Sequence, residues 1–251
     1  MKTMDHIMKM NKEMEERFPI IRTGFDDLDG MTALLRRRAV SLLASRPGMG
    51  RSTLAAQIVA NIADIGGYIG WFTTVRSVGE VADKILRVKQ DFHTPQNIVL
   101  EDRVGNECEL RQAIIEWGKP FDLVVVDDLQ GMYHVSRRGQ VVFDTGTVYA
   151  VARDIARNQS AAFLLLSRLM RAPNHRPGYQ PLPMDIPHWV DIKDGVDSVF
   201  LLHRDGYYTG DTSEYQTVTI FAGPSMDRVS RISLLWNRTA GRFLPYDAAL
   251  L

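Results

Sequence analysis

The stretch 44–53, ASRPGMGRST, has the residue types and the spacing of a loop that binds nucleotide phosphates. An apolar run precedes it at 39–43, and a helical pattern follows it at 54–59. This context supports the interpretation, because the N–H groups at a helix N-terminus hold phosphate oxygens. The loop departs from the common pattern at two positions, since Ser45 replaces the first glycine and Arg51 replaces the lysine. We predict that phosphates are bound by Ser45, Arg46, Pro47, Gly48, Met49, Gly50, Arg51, Ser52 and Thr53.

Two acidic residues follow the apolar run Leu123–Val126, and they complete a predicted site for ATP and Mg²⁺. A buried strand that ends in Asp127 places a carboxylate at the carboxyl edge of a sheet, where ligands bind in α/β folds. Ser52 keeps the hydroxyl that binds Mg²⁺ in loops of this kind. We therefore expect Ser52 and Asp127 to coordinate the metal. The alternative is a strand followed by an acidic turn that binds nothing.

The composition excludes several classes of protein. The 30 Lys and Arg residues balance 30 Asp and Glu residues, so any DNA contact must come from a local patch such as Arg36–Arg38 or Arg137 and Arg138. A single cysteine, Cys108, excludes an intramolecular disulfide and suits a reducing compartment. No apolar run approaches the roughly 20 residues of a membrane helix, so we expect no membrane partner and a cytoplasmic location.

Apolar runs alternate with helical patterns along the chain, which predicts an α/β fold with a doubly wound, mostly parallel sheet and helices on both faces. Most of these runs are continuous, as expected for strands buried on both faces. The predicted strands are Ala39–Ala44, Tyr68–Thr73, Asn97–Leu100, Leu123–Val126, Ala162–Leu166, Ser198–Leu202 and Val218–Phe221. The predicted helices between them are Ser52–Ile65, Val78–Val88, Glu107–Trp117 and Thr147–Arg157. A proline-rich loop is predicted from Arg171 to Pro187.

An amphipathic helix is predicted ahead of this domain, at Met4–Phe18, and Pro19 ends it. Residues 1–19 thus form a separate segment, and residues 20–251 form the α/β domain. The apolar stripe of this helix is rich in methionine, which adapts to irregular surfaces. Two interpretations remain open: the helix packs on its own domain, or it docks on a neighbouring subunit.

With these residues in view, the chain resembles the C-terminal, RecA-like motor domain of DnaB-type replicative DNA helicases. The stretch 45–52 resembles that family's phosphate loop, and 127–132, DDLQGM, resembles its DYLQLM segment. Residues 167–171 lie where the family has SQLNR, and the late RDGYY at 204–208 matches its RD-x-x-Y motif. The resemblance runs from about Ile20 to Tyr246, and it implies a RecA-like P-loop fold, ATP and Mg²⁺ as cofactors, single-stranded DNA as a partner, and a homo-oligomeric, hexameric ring.

The resemblance also identifies catalytic groups that this chain lacks. Val75 stands where the family has its catalytic glutamate, and Arg168 replaces a glutamine that senses the γ-phosphate, so we expect Arg168 to contact the nucleotide. The charged K-x-R finger falls at Ala222–Pro224, which carries no charge. A finger is worth roughly 10³–10⁵ in rate and a general base roughly 10²–10⁴. Losing both, together with the lysine, predicts hydrolysis too slow to drive unwinding.

The family's DNA-contacting segment reads PHWV here, at 187–190. His188 and Trp189 could stack on a single-stranded base, or the tryptophan could pack the long loop against the core. His175 and His203 lack metal-ligand spacing, so we interpret them as structural.

These observations predict an ATP-binding protein associated with DNA replication whose hydrolysis is weak or lost. One alternative is an active hexameric helicase with rearranged catalytic residues, in which Asp128 acts as the base and Arg228 or Arg231 as the finger. The other is a non-catalytic module that pairs with a true helicase subunit through the Met4–Phe18 helix.

Overall fold

A computed structural model describes Met4 and residues 21–30, 35–89, 96–135, 141–142, 145–171, 176–223 and 230–251. Apart from Met4, the predicted N-terminal helix lies outside the described residues, as do Arg137, Arg138, His175 and Arg228. The α-helices in the described ranges are α1 (Asp26–Asp29), α2 (Arg51–Asp64), α3 (Val78–Val88), α4 (Glu107–Trp117), α5 (Thr145–Gln159), α6 (Trp189–Ile192) and α7 (Asp205–Thr209).

The described strands are β1 (Val40–Ser45), β2 (Ile69–Thr73), β3 (Ile98–Glu101), β4 (Leu123–Asp127), β5 (His134–Val135), β6 (Val141–Val142), β7 (Ala162–Arg168), β8 (Ser198–His203), β9 (Tyr215–Gly223), β10 (Ser230–Asn237) and β11 (Arg242–Pro245). Nine of them form one sheet, in the order β11-β10-β9-β8-β1-β7-β4-β2-β3. The strands from β8 to β3 in this order are parallel, whereas β9, β10 and β11 are antiparallel to their neighbours. The predicted, mostly parallel sheet is confirmed, and β10 and β11 were not predicted.

Helices cover both faces of the sheet, as expected. Alternate residues of the central strands point to opposite faces, so each strand contributes to two apolar clusters. On one face Leu43 and Trp71 pack with Leu54 and Ile58 of α2 and with Ile85 of α3. On the other face, the strand residues Leu42 and Val124 pack with Leu110 and Ile114 of α4 and with Ile155 of α5. Strands β1, β2, β4 and β8 are buried along their whole length, which explains their continuous apolar sequences.

Local sequence fixes where the helices begin. Ser77 caps α3: its hydroxyl accepts a hydrogen bond from Glu80 N, and the Glu80 carboxylate accepts one from Ser77 N at 2.9 Å. This reciprocal capping satisfies two backbone donors that a helix end leaves free. Asn106 caps α4 by accepting from the backbone of the next turn, and Gly118 ends that helix in the left-handed conformation.

Helix α2 is tied to β11 at the edge of the sheet. The Gln57 side chain donates to Phe243 O at 2.9 Å and accepts from Phe243 N at 2.6 Å. Both residues are buried. The antiparallel strands thus hold the helix that follows the phosphate loop. None of the described helices has the length and apolar character needed to cross a membrane.

Candidate nucleotide site

The loop between β1 and α2 has the conformation of a phosphate-binding turn. Gly48 and Gly50 adopt left-handed φ values of 84° and 100°, which favour glycine. A Cβ at Gly48 would lie 2.6 Å from Tyr207 Cε2, and one at Gly50 would lie 2.7 Å from Phe243 Cζ. Both glycines are therefore required by conformation and by close packing.

Helix α2 presents its N-terminus to a cavity at the carboxyl ends of the parallel strands. It begins at Arg51 without a side-chain cap, because its N-cap residue is Gly50. The first N–H groups of a helix have no intrahelical acceptor, and the positive end of the helix dipole lies there. The loop is therefore arranged to bind an anion.

The cavity has a volume of about 770 Å³ and a strongly cationic lining. Among the described residues, seven cationic side chains line it against the carboxylates of Asp128 and Asp211. The cationic residues are Arg46, Arg51, Arg76, Lys84, Arg168, Arg204 and Arg238. Such a charge imbalance attracts and retains anionic ligands.

Arg51 directs its guanidinium toward Asp127, the last residue of β4, and Asp128, which follows it. Its Nη2 lies 3.3 Å from Asp128 Oδ2 and 3.6 Å from Asp127 Oδ1. The Arg51 side chain is 11 % exposed, and the carboxylates are 0 % and 2 % exposed for Asp127 and Asp128. The residue at the lysine position is thus an inward-facing partner of both carboxylates.

Two further arginines complete this cluster. Arg76 Nη1 lies 3.7 Å from Asp127 Oδ2, and Arg168 Nε lies 2.5 Å from Asp128 Oδ2. The remaining oxygen of Asp128, Oδ1, accepts a hydrogen bond from Gln130 N at 2.9 Å. Neither oxygen of Asp127 receives a hydrogen bond of ordinary distance and angle from the described residues, although both are buried. Asp127 is therefore compensated mainly by the charges of the arginines.

Hydrogen bonds between strand ends hold these groups in place. Thr73 and Asp127 are paired in the register of β2 and β4, and Thr74 Oγ1 donates to Asp128 O at 3.0 Å. Gln130 bridges to β7, because its Oε1 accepts from Arg168 N at 3.0 Å. The loops after β2, β4 and β7 are thus one hydrogen-bonded unit.

Burial and charge shift the proton affinities in the cluster. Burial raises the pKa of Asp127 above its ordinary value, and the charges of Arg51 and Arg76, with a smaller contribution from the Ser52 hydroxyl, oppose that shift. Burial lowers the pKa of Arg51, although an arginine remains charged. The pKa of Lys84 is lowered by burial and by the neighbouring charge of Arg76. These shifts are those of a cationic, partly desolvated site.

The arrangement does not fit a Mg²⁺ ion at Ser52 and Asp127. Magnesium requires near-octahedral oxygen ligands at roughly 2.0–2.1 Å, whereas guanidinium groups face both carboxylates of this cluster. A divalent cation bound there would be repelled by these guanidinium groups at short distance. In the described residues, no group of three or more His, Cys, Asp or Glu side chains forms a metal cluster elsewhere.

The structure brings most of the predicted nucleotide-binding residues together. Eight residues of the loop line the cavity, together with Arg168 from β7, and the eight are Ser45, Arg46, Pro47, Gly48, Gly50, Arg51, Ser52 and Thr53. Met49 does not line it, because its side chain is fully buried. Val75, at the family's glutamate position, is 48 % exposed and lies at the cavity wall.

Of the residues predicted to contact DNA, the structure describes His188 and Trp189. Neither His188 nor Trp189 lines the cavity, and Trp189 is partly buried against the core. His203 is buried and lies 2.7 Å from Asp205 Oδ1. Arg37, from the predicted basic patch, pairs with Asp122, which precedes β4. This pair lies at the amino ends of the parallel strands, whereas the phosphate loop lies at their carboxyl ends.

Several cavity residues were not predicted. Arg76 and Lys84 come from the β2–α3 segment, whose position depends on strand order rather than on a local motif. Arg204 and Tyr207 belong to the RDGYY motif, which offered a signal that was not assigned to the site. The Arg204 guanidinium donates to Gly48 O at 3.0 Å and lies 5.2 Å from the ring centroid of Trp236. Flat groups of this kind can hold a planar base beside the phosphate loop.

The strand order, the phosphate loop after β1 and Asp127 at the end of β4 define a RecA-like P-loop domain. The model of the family described as DnaB-like helicase C terminal domain matches residues 21–98 and 77–244. The chain belongs to this family.

Known proteins agree with this assignment. The replicative DNA helicase DnaC of Bacillus subtilis is 23 % identical over 264 residues, covering 89 % of this chain and 56 % of the relative. DnaB of Geobacillus stearothermophilus is 24 % identical over 235 residues, covering 80 % and 50 %. The chain thus spans about half the length of these relatives.

Solved structures share the fold. One solved structure, described as an ATPase domain, superposes with a TM-score of 0.77 at 19 % identity, covering 97 % of this chain and 98 % of that one. A DnaB-like replicative helicase, described with its primase interactions, also has a TM-score of 0.77 at 20 % identity, covering 98 % of this chain and 68 % of that one.

Proposed function

We propose that this chain is an ATP-binding DnaB-like domain that works in DNA replication and hydrolyses ATP weakly or not at all. One observation carries the proposal: Arg51 replaces the phosphate-loop lysine and is held by Asp127 and Asp128 at 3.6 and 3.3 Å. The open N-terminus of α2 and the cationic cavity support binding of the phosphates.

The surroundings of the loop support slow hydrolysis. Val75 lies at the cavity but cannot accept a proton from water. The segment at the finger position begins with Ala222, which is 1 % exposed, and Gly223. Arg231, considered as a replacement, lies with its guanidinium 5.3 Å from the Phe221 ring centroid. Each missing group would cost orders of magnitude in rate.

An active motor that uses Asp128 as its base is less well supported. Arg51, Arg168 and the backbone N–H of Gln130 already engage the Asp128 carboxylate. A base in an ATPase must instead be free to orient the attacking water.

Partners follow from the family and remain part of the proposal. We propose single-stranded DNA as a ligand and a homo-oligomeric ring or a helicase subunit as the assembly, in the cytoplasm. The alternative of a non-catalytic module depends on docking of the Met4–Phe18 segment on a helicase subunit.

Calorimetric titration with ATP and Mg²⁺, followed by a hydrolysis time course on the same sample with single-stranded DNA, tests the proposal. We expect saturable binding and turnover far below about 1 s⁻¹, the low end of ordinary enzymes. Turnover at or above that rate would defeat the weak-hydrolysis proposal, and absence of binding would defeat the nucleotide proposal.

A charge reversal with a matched control locates the site. Arg51→Glu should abolish binding, because it places a third carboxylate beside the phosphates. Arg111→Glu should leave it intact, since Arg111 pairs with Asp154 between α4 and α5, which pack on the other face of the sheet from α2. Equal losses in the two variants would place the nucleotide elsewhere.

A further inference from the structure

The carboxylates that would hold a metal in this site already face cationic side chains of the protein. Asp127 faces Arg51 at 3.6 Å and Arg76 at 3.7 Å. Asp128 faces Arg51 at 3.3 Å and Arg168 at 2.5 Å. The three guanidinium groups come from α2, from the loop after β2 and from the end of β7. The compensation is therefore assembled from three separate elements.

Burial makes a counter-charge necessary at Asp127. Asp127 is 0 % exposed, and neither of its oxygens receives an ordinary hydrogen bond within the described residues. A buried carboxylate needs a counter-charge. In a phosphate-loop site Mg²⁺ is the usual cation near this residue, but here two arginine side chains supply the positive charge from fixed positions.

The same side chains also face the ligand. Arg51, Arg76 and Arg168 all line the cavity in front of the α2 N-terminus. Guanidinium groups bind phosphate oxygens in a planar, two-pronged geometry that an ammonium group cannot provide. Positive charge for both the aspartates and the phosphates is thus present before any metal arrives.

We propose that this site binds the triphosphate of a nucleotide without a divalent cation, with Arg51 and Arg76 replacing the metal at Asp127. This inference rests on the proposed nucleotide-binding function. It adds that the ligand is the free, uncomplexed nucleotide. It also accounts for a lysine-to-arginine change in a loop whose glycines keep their binding conformation.

The test is a pair of calorimetric titrations with ATP, one in excess EDTA and one in excess Mg²⁺. We expect dissociation constants that agree within about threefold, less than a single charged hydrogen bond contributes. Binding at least about tenfold weaker in EDTA would overturn the inference and leave the proposed function standing. No binding in either medium would overturn both.

Variants sharpen the result. Arg51→Lys should bind about tenfold more weakly in EDTA and recover in Mg²⁺, because a compact ammonium leaves Asp127 open to the metal. Arg76→Gln should also bind more weakly in EDTA than in Mg²⁺. Because the Arg76 side chain is 35 % exposed, this variant provides a second test if Arg51→Lys misfolds. Arg111→Lys should show no difference between media. Equal losses in both media for Arg51→Lys and Arg76→Gln would also overturn the inference, since the two arginines would then serve the phosphates alone.

Discussion

Arg51 approaches both carboxylates of the cluster through one nitrogen, because its Nη2 lies 3.3 Å from Asp128 Oδ2 and 3.6 Å from Asp127 Oδ1. The guanidinium remains charged although burial lowers its pKa, and its other nitrogens extend a planar group that a lysine lacks. Lysine has one compact charge and is easily displaced toward a phosphate. At the scale of single residues, the chemistry of this site therefore depends on one guanidinium and on Val75, which lines the same cavity.

Restoring two side chains should restore part of the hydrolysis. We expect Arg51→Lys/Val75→Glu to release phosphate about 10²-fold faster in Mg²⁺ than Arg51→Lys alone, because a general base contributes roughly that factor or more. Steady-state phosphate release measures it. Val75→Gln in the same background is the matched control, since an amide cannot take a proton. A gain with glutamine equal to that with glutamate would exclude a base at this position.

Lowering the pH should stabilise the wild-type fold relative to the fold of Asp127→Asn. Burial raises the pKa of Asp127 in the folded state, so the folded chain binds this proton more tightly than the unfolded chain. The penalty for burying the charge is present above the raised pKa, and it is lost as pH falls toward the ordinary value of 3.8. The wild-type free energy of unfolding, relative to Asp127→Asn, should rise by up to about 1.4 kcal/mol per pH unit in that window.

Urea unfolding of both proteins in a pH series that descends from neutral pH toward the ordinary value of 3.8 measures this difference. A relative free energy that falls on acidification would show that the arginines, rather than burial, control this carboxyl.

At the scale of elements, the phosphate loop depends on what packs beneath it. Gly48 lies against the Tyr207 ring from α7, and Gly50 lies against the Phe243 ring from β11. Both contacts come from parts of the chain that follow the parallel strands. The antiparallel extension of the sheet therefore supports the loop that β1 and α2 provide.

Gly48→Ala should weaken ATP binding about tenfold or more. Its left-handed φ costs an alanine about 1–3 kcal/mol, and the new Cβ would lie 2.6 Å from Tyr207. Gly66→Ala is the control, because Gly66 has a similar φ of 89° with nothing within 4 Å of the added carbon. Both variants should lose stability in urea, but only Gly48→Ala should lose affinity in calorimetry. An equal loss of affinity in both would assign the effect to general destabilisation.

The sequence predicted those elements whose signals are local. The runs that became β1, β2, β4, β7 and β8 are predominantly apolar because both faces of the sheet are covered, and the glycines identified the loop. Strand β10 combines exposed, half-buried and buried positions, and β11 has four residues, so neither produced a continuous apolar run. The position of Arg51 relative to Asp127 and Asp128 follows from β7 lying between β1 and β4, and no local pattern encodes that order.

At the scale of the whole molecule, the sequence predicts assembly into a larger complex. The chain spans about half of its helicase relatives, and the methionine-rich segment at 4–18 precedes the family domain. Docking of that segment on another subunit would link copies of the chain to each other or to a helicase.

Removal of residues 1–19 should reduce the sedimentation mass of any assembly that the full chain forms with ATP and single-stranded DNA. Sedimentation velocity of the full and shortened chains, each alone and mixed with a replicative helicase, measures this. Lys9 and Lys12 lie outside the apolar stripe of the predicted helix, so their replacement by glutamine should leave the mass unchanged. Unchanged mass after truncation would exclude docking through this segment.

The Gln57 amide has a consequence for solubility. It occupies the N–H and C=O of Phe243, and Pro245 at the end of β11 has no N–H to offer. A β-strand from another polypeptide therefore cannot form hydrogen bonds with the backbone of Phe243 in β11. Blocking an edge strand in this way is one means by which proteins prevent fibre-like stacking. Loss of the amide, as in Gln57→Leu, would uncover a template for intermolecular ladders, so this one side chain guards against precipitation.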